Sequence, residues 1–367
     1  MTNPLYPKQI HDALATVRYP GTGKNLIEMN MVADDLRING RSVEFSLIFE
    51  KSTDPFAASV KKAAEAAIHT FVAPDVEVTI NTVAPQAPKA EAPKVLPGVK
   101  NIIGVSSGKG GVGKSTVAVN LAVSLAADGF KVGLLDADIF GPSVPKMFGI
   151  EDEQLYMHEV DGRNLIIPAE RYGVKLLSIG LLYPPESAVL WRGGMASRAL
   201  TQLITDADWG ELDYFLIDMP PGTSDIHLTL VQTLPMTGAI VVTTPQEVAL
   251  ADARKGIAMF QEEKINVPVL GLVENMAWFT PEKHPDERYY IFGREGGARL
   301  AEATHTELLG QLPIVEQVCA GADSGEPIAL TPTVAGQAYR HLAHRVVEAV
   351  DRRNKELPPT HVVQMKH

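Results

Sequence analysis

One stretch constrains the fold more than any other. Residues 102–125 read IIGVSSGKGGVGKSTVAVNLAVSL, an apolar run that gives way to glycines and then to apolar residues at helical spacing. Within it, Gly108 to Ser115 (GKGGVGKS) satisfies G-x-x-x-x-G-K-[ST], with a strand before it and a helix after it. Strand, loop and helix in that order let the backbone N–H groups of Gly108, Gly110, Gly111, Val112 and Gly113 converge on phosphate oxygens. The helix N-terminus adds partial positive charge at the same point. The motif assigns Lys114 to the β/γ-phosphates of a nucleotide and Ser115, followed by Thr116, to a direct contact with Mg²⁺. An ordinary glycine-rich turn is the plainer alternative, and the ordered context argues against it.

Such a loop needs a carboxylate for the metal and a group that positions water. DYFLIDMPPGTSD ends an apolar strand on Asp218, where it would act on Mg²⁺ through water, and Gly222 follows in a loop able to sense the γ-phosphate through its backbone. LLDADIFGPS ends another strand with Asp136 and Asp138 two residues apart. Asp138, nearer the loop, is the candidate for orienting the attacking water, and Asp136 for supporting the loop or the metal shell. Carboxylates at strand ends can also be simple turn formers.

The remaining chain divides around residues 84–98, APQAPKAEAPKVLPG, whose four prolines extend and stiffen the chain without offering a core. Before this linker, Ile10, Leu14 and Val17 recur at helical spacing. Asn39-Gly40 separates two strand-like runs, the second with Val43, Phe45, Leu47 and Phe49 on one face. A helix over about 55–69 and a strand through Val76, Val78 and Ile80 complete an α-β-β-α-β unit. After the linker, NIIGVSS, KVGLLDAD, VKLLSIG, YFLID, GAIVVTT and VLGLVENM read as strands covered on both faces. An α/β fold with a mostly parallel sheet between helices is expected, preceded by a small α+β domain. A last helix over about 334–353 presents Tyr339, Leu342, Val346 and Val350. The expected boundaries are 1–83, 84–99, 100–355 and a tail at 356–367.

Formal net charge is −11 without a block of like charges, which argues against broad attraction to nucleic acid or anionic lipid. Cys319 is the single cysteine, so no intrachain disulfide can form and a reducing compartment is indicated. The N-terminal residues have no basic segment followed by an apolar run, and no stretch approaches ~20 apolar residues. A cytoplasmic protein is expected, with neither nucleic acid nor membrane among its partners.

A second lysine, Lys109, directly follows the first glycine of the motif. GKGGVGKST resembles the deviant signature of the P-loop ATPase group that includes MinD, ParA and the nitrogenase iron protein. In that group the extra lysine reaches across a face-to-face dimer to the partner's nucleotide, and the resemblance gives Lys109 that role. DADIFGPSVPKMFGI, VLWRGGMASRAL, DYFLIDMPPGTSDIHLTL, TTPQEVALADARKGIAMF and VENMAWF together resemble the Mrp/ApbC family, iron–sulphur cluster carrier ATPases. The small first domain resembles the assembly-type domain of the bacterial members. By the same resemblance Asn275 contacts adenine, which favours ATP, and the partners are a second copy and iron–sulphur assembly or apo-client proteins.

Many family members follow ENM with C-x-x-C, so that a dimer offers four thiolates, the usual set for a [4Fe–4S] centre. This chain reads ENMAWFTPEKHPDERYYIFG, without a cysteine, and FEKSTDPF in the first domain has none either. An iron–sulphur cluster as a further cofactor stays open. His284, Asp286 and Glu287 are a possible mixed site but more plainly a charged surface loop, and an isolated Cys319 more plainly a small apolar filler. The sequence is read as a homodimeric ATPase acting in iron–sulphur cluster assembly or transfer. A MinD/ParA-like spatial organiser and a nucleotide-gated client-binding module are the alternatives. Arg192, in WRGGM, has no derivable role.

Overall fold

The computed structural model describes residues 5–362 apart from 34, 50–53, 84–94, 161, 183–192, 282–283 and 285–286. Most of the proline-rich linker, the Trp191–Arg192 pair, Asp286 and the middle of FEKSTDPF lie outside the described residues. The chain divides into two compact units, residues 1–93 and 94–367.

In the first unit α1 (Pro7–Leu14) is followed by β1 (Arg37–Asn39), β2 (Ser42–Ile48), α2 (Ala57–Phe71) and β3 (Glu77–Val83). This is the α-β-β-α-β order read from the sequence. β1 and β2 form an antiparallel hairpin, while β3 pairs with β2 in parallel, Phe45 opposite Ile80. Alternation along β2 puts Val43, Phe45 and Leu47 into one core with Ile10 and Leu14 of α1 and Val60, Ala64 and Ile68 of α2.

The second unit begins with β4 (Val99–Ser107), α3 (Lys114–Ala127), β5 (Val132–Asp136), α4 (Val144–Phe148), β6 (Met157–Val160), β7 (Arg163–Ile166), β8 (Ala169–Arg171) and β9 (Val174–Ser178). It continues with α5 (Gly193–Thr205), β10 (Leu212–Asp218), α6 (Asp225–Thr233), β11 (Gly238–Thr243), α7 (Glu247–Gln261) and β12 (Val269–Glu274). α8 (Gly296–Ala303), β13 (Leu308–Gln311), α9 (Glu316–Ser324) and α10 (Val334–Glu356) complete it. Eight strands form one sheet in the order β13-β12-β11-β4-β10-β5-β9-β8, parallel except for the β8–β9 edge pair.

Both faces of this sheet are covered, which is why its strands are apolar almost throughout. In β10, Tyr214 and Leu216 enter one core with α3 and α10, and Phe215 and Ile217 enter the other with α5, α6 and α7. α3 is buried from Val117 to Leu125 without a break, as expected of a helix enclosed on all sides. The helix that receives the glycine loop is thereby held within the core of the unit. All four residues expected to face inward from the last helix, Tyr339, Leu342, Val346 and Val350, are buried. Cys319 corrects the sequence reading: it is exposed on α9, which buries no residue, and so fills no core.

Candidate active site

The glycine loop leaves the C-terminal end of β4, flanked in the sheet by β10 and β11, with β5 beyond β10. C-terminal strand edges of such sheets form the crevice in which ligands bind. Two glycines here are required by close approach. A Cβ on Gly108 would lie 2.1 Å from the backbone carbon of Asp252, so the loop can start only where it touches the α7 backbone. Gly113 caps α3 with a left-handed φ of 81°, and a Cβ there would meet Asn275 Nδ2 at 2.2 Å.

Polar groups fix the loop from three directions. Ser107 Oγ donates to Lys109 O at 3.0 Å, and Asn275 Nδ2 donates to Val112 O at 2.8 Å. Gly222 N–H donates to Ser107 O at 2.8 Å. Asn275, expected on adenine, thus uses its amide nitrogen to support the loop from below. Gly222, expected to sense phosphate through its N–H, has that N–H engaged by β4.

Lys114 is buried at the first turn of α3. Its Nζ lies 2.5 Å from Asp218 Oδ1, 3.8 Å from Asp138 Oδ2 and 3.2 Å from Ser115 Oγ. Asp218 ends β10, which pairs in register with β4 and β5, Asp218 opposite Val105 and Asp136. The sheet itself therefore brings the distant carboxylates to the lysine. Asp218 is fully buried; burial raises its pKa, and the Lys114 charge opposes that shift. Its second oxygen, Oδ2, is buried without a hydrogen-bond partner among the described residues. Asp138 is half-buried and is also raised by burial against the pull of Lys114.

Asp136 is the residue expected to support the glycine loop or the metal shell. It is fully buried, and its oxygens accept from Ser178 Oγ at 2.9 Å, Asp138 N at 3.1 Å and Val144 N at 3.4 Å. Burial, reinforced by the Asp218 charge, pushes its pKa up to about 8. Asp136 holds the 137–144 turn, which carries Asp138, and has no hydrogen bond to the glycine loop among the described residues. Ser178 sits on β9, next to β5 in the sheet, and no local pattern announces it.

Lys109 is exposed and forms no ion pair among the described residues. Thr116 follows Ser115 on α3, and its carbonyl accepts from Asn120 Nδ2 at 2.9 Å. One ammonium faces several carboxyls here, with an unpartnered carboxylate oxygen and a serine hydroxyl nearby. That is an all-oxygen donor set with excess negative charge, which fits Mg²⁺, a cation that takes one or two carboxylates and fills its shell with phosphate and water.

Beyond Asn275 the chain turns back. Phe279 and Tyr289 exchange backbone hydrogen bonds at 2.8 Å, and the Arg288 guanidinium lies 4.5 Å over the Trp278 ring. His284 and Glu287 form an exposed pair at 3.3 Å. Among the described residues no group of three or more His, Cys, Asp or Glu side chains is placed to hold a metal.

Comparison with known proteins places this geometry. Residues 98–347 match the ParA family, described as NUBPL iron-transfer P-loop NTPase. The chain belongs to this family. Residues 7–80 match a second family, iron-sulfur cluster assembly protein. The iron-sulfur cluster carrier protein of Synechocystis is 41% identical over 326 residues, which span 89% of this chain and 92% of the relative. That of Escherichia coli K12 is 52% identical over 253 residues, 68% of this chain and 66% of the relative. Among solved structures, a nucleotide-binding protein from Archaeoglobus fulgidus in complex with ADP aligns with a TM-score of 0.55 at 39% identity. It covers 63% of this chain and 88% of its own. The Mrp/ApbC resemblance read from the motifs is thus a membership. No helix among the described residues is long and apolar enough to cross a membrane.

Proposed function

We propose that the chain is a Mg²⁺-dependent ATPase that acts as a homodimer in the cytoplasm, in the assembly or transfer of iron–sulphur clusters. The observation that carries this reading is the set formed by Lys114, Ser115, Asp218 and Asp138 beneath the glycine loop, with a second, exposed lysine in the loop itself. Lys114 exchanges Asp218 for the β/γ-phosphates as nucleotide binds, and the amides of residues 108–116 hold the phosphate oxygens. Ser115 and, through water, Asp218 are the groups that would hold Mg²⁺, which neutralises charge on the transferred phosphoryl group. Asp138, carried on the turn that Asp136 holds, orients the attacking water. Gly222 releases Ser107 to read the γ-phosphate, and Asn275, whose amide nitrogen holds Val112 O, also contacts the base. Lys109 completes the neighbouring subunit's site, as its exposure allows.

The cluster is cargo on this reading. Two copies of Cys319 supply two thiolates per dimer, short of the usual four. A client or an assembly partner therefore contributes ligands. The names carried by the relatives and the match of residues 7–80 support this assignment.

Phosphate release and nucleotide affinity measured together on two variants test the shared site. Lys109→Ala should bind ATP near the wild-type level and lose most hydrolysis, whereas Lys114→Ala should lose both. Equal loss in the two variants would remove Lys109 from the partner's site. Asp138→Asn should slow turnover and leave the nucleotide-bound dimer intact by light scattering; normal turnover would remove Asp138 from its role.

A further inference from the structure

Among the described residues, His227 is a buried polar side chain with one ring nitrogen left unpartnered. It is the third residue of α6 and only 1% exposed. Its Nδ1 accepts the Ser224 N–H at 3.1 Å, a capping box closed by histidine where glutamate or glutamine is usual. A ring that accepts at Nδ1 and is neutral carries its proton on Nε2. That Nε2 is buried with no partner among the described residues, a state that folded proteins rarely leave unexplained. Lys114 is near enough for its charge to oppose protonation of the ring. A second unpartnered atom, Asp218 Oδ2, belongs to the carboxylate that holds this same lysine.

The two orphans are complementary, since one is a donor and the other an acceptor. We propose that His227 is a positioning residue that ties the nucleotide state of the site to α6 and to the loop at 219–224. This rests on the nucleotide-binding reading above. When Lys114 leaves Asp218 for phosphate, the carboxylate loses its only side-chain cation at contact distance among the described residues. His227 Nε2–H then supplies the replacement hydrogen bond, directly or through one water. A neutral donor suits this place because a charged ring would be repelled by Lys114. Through Nδ1 the same ring holds Ser224, and so the end of the loop that carries Gly222. Occupancy of the phosphate site is thereby felt at the start of α6.

Three variants separate this role from capping alone. H227Q keeps a capping acceptor and an amide donor, H227E keeps the acceptor without a donor, and H227L has neither. The probes are Mg-ADP and a Mg-bound non-hydrolysable ATP analogue, read by calorimetric affinity on the full chain. H227Q should match the wild type. H227E and H227L should lose about tenfold or more of the preference for triphosphate over diphosphate, the effect of one hydrogen bond to a charged group. In the wild type, the His227 ¹⁵N signals should report the Nε2–H tautomer and move when the analogue is added. If H227E and H227L keep the wild-type ratio of affinities, whatever their melting temperatures, the proposal is wrong, and an unmoved His227 signal is equally fatal. Wild-type protein that binds neither nucleotide overturns the underlying reading, and this proposal with it.

Discussion

Replacing Lys114 by methionine tests the electrostatic arrangement of the site without any ligand. The lysine side chain is 6% exposed and its Asp218 partner 0% exposed, at 2.5 Å. Breaking a buried pair by removing one member leaves the other charge stranded, which destabilises by about 3–5 kcal/mol. For a unit of this size that corresponds to a fall in melting temperature of roughly 6–20 °C. Burial already raises the Asp218 pKa with the lysine present, and the variant raises it further. The folded protein then holds a proton that the unfolded chain has lost, so stability declines as pH climbs above the ordinary carboxylate range. The deficit should therefore be larger at pH 8 than at pH 5. Adding Asp218→Asn to Lys114→Met removes the stranded charge and should restore most of the loss. Nucleotide-free thermal unfolding by circular dichroism, with the wild type, both single variants and the double variant at two pH values, provides the measurement. A Lys114→Met protein that melts with the wild type, or a double variant no more stable than the lysine variant, would refute this reasoning.

Two further outcomes follow from positions around the lysine. Gly108→Ala places a methyl 2.1 Å from the Asp252 backbone carbon, so the loop must leave α7; nucleotide binding should be lost, and calorimetry would show it. Burial depresses the His227 pKa to about 4, against about 6.5 in an unfolded chain. Between those values the unfolded chain binds the extra proton, so stability should fall by up to roughly 3 kcal/mol as pH drops from 6.5 to 4. H227Q should remove that part of the slope. Asp136 acts with the opposite sign: its raised pKa means that stability declines as pH rises toward about 8, so the comparison with H227Q is what isolates the histidine.

The parts of the site that were legible in the sequence are those carried by contiguous residues. GKGGVGKS, the strand ending on Asp218 and the strand ending on Asp136 each announce themselves within ten residues, because phosphate recognition requires a fixed local order of strand, turn and helix. The sheet core was legible for a related reason, since strands buried on both faces leave long apolar runs. What the sequence concealed depends on partners brought together by the sheet. Ser178 stands 42 positions from the Asp136 it stabilises, and its single hydroxyl has no pattern. The edge strands β8 and β13 have three and four residues, too few for a period to emerge, and the β6–β7 hairpin is exposed along most of its length. His227 was missed because a histidine inside a helical pattern attracts no attention; the serine three places before it, at the helix start, was the available signal.

The bond from Gly222 N–H to Ser107 O ties the loop after β10 to the end of β4. If a terminal phosphate claims this amide, as proposed above, it takes it from a carbonyl, and the net gain is the small difference between two acceptors. Such an exchange is readily undone. On the proposed reading, loss of the terminal phosphate would return the amide to the Ser107 carbonyl.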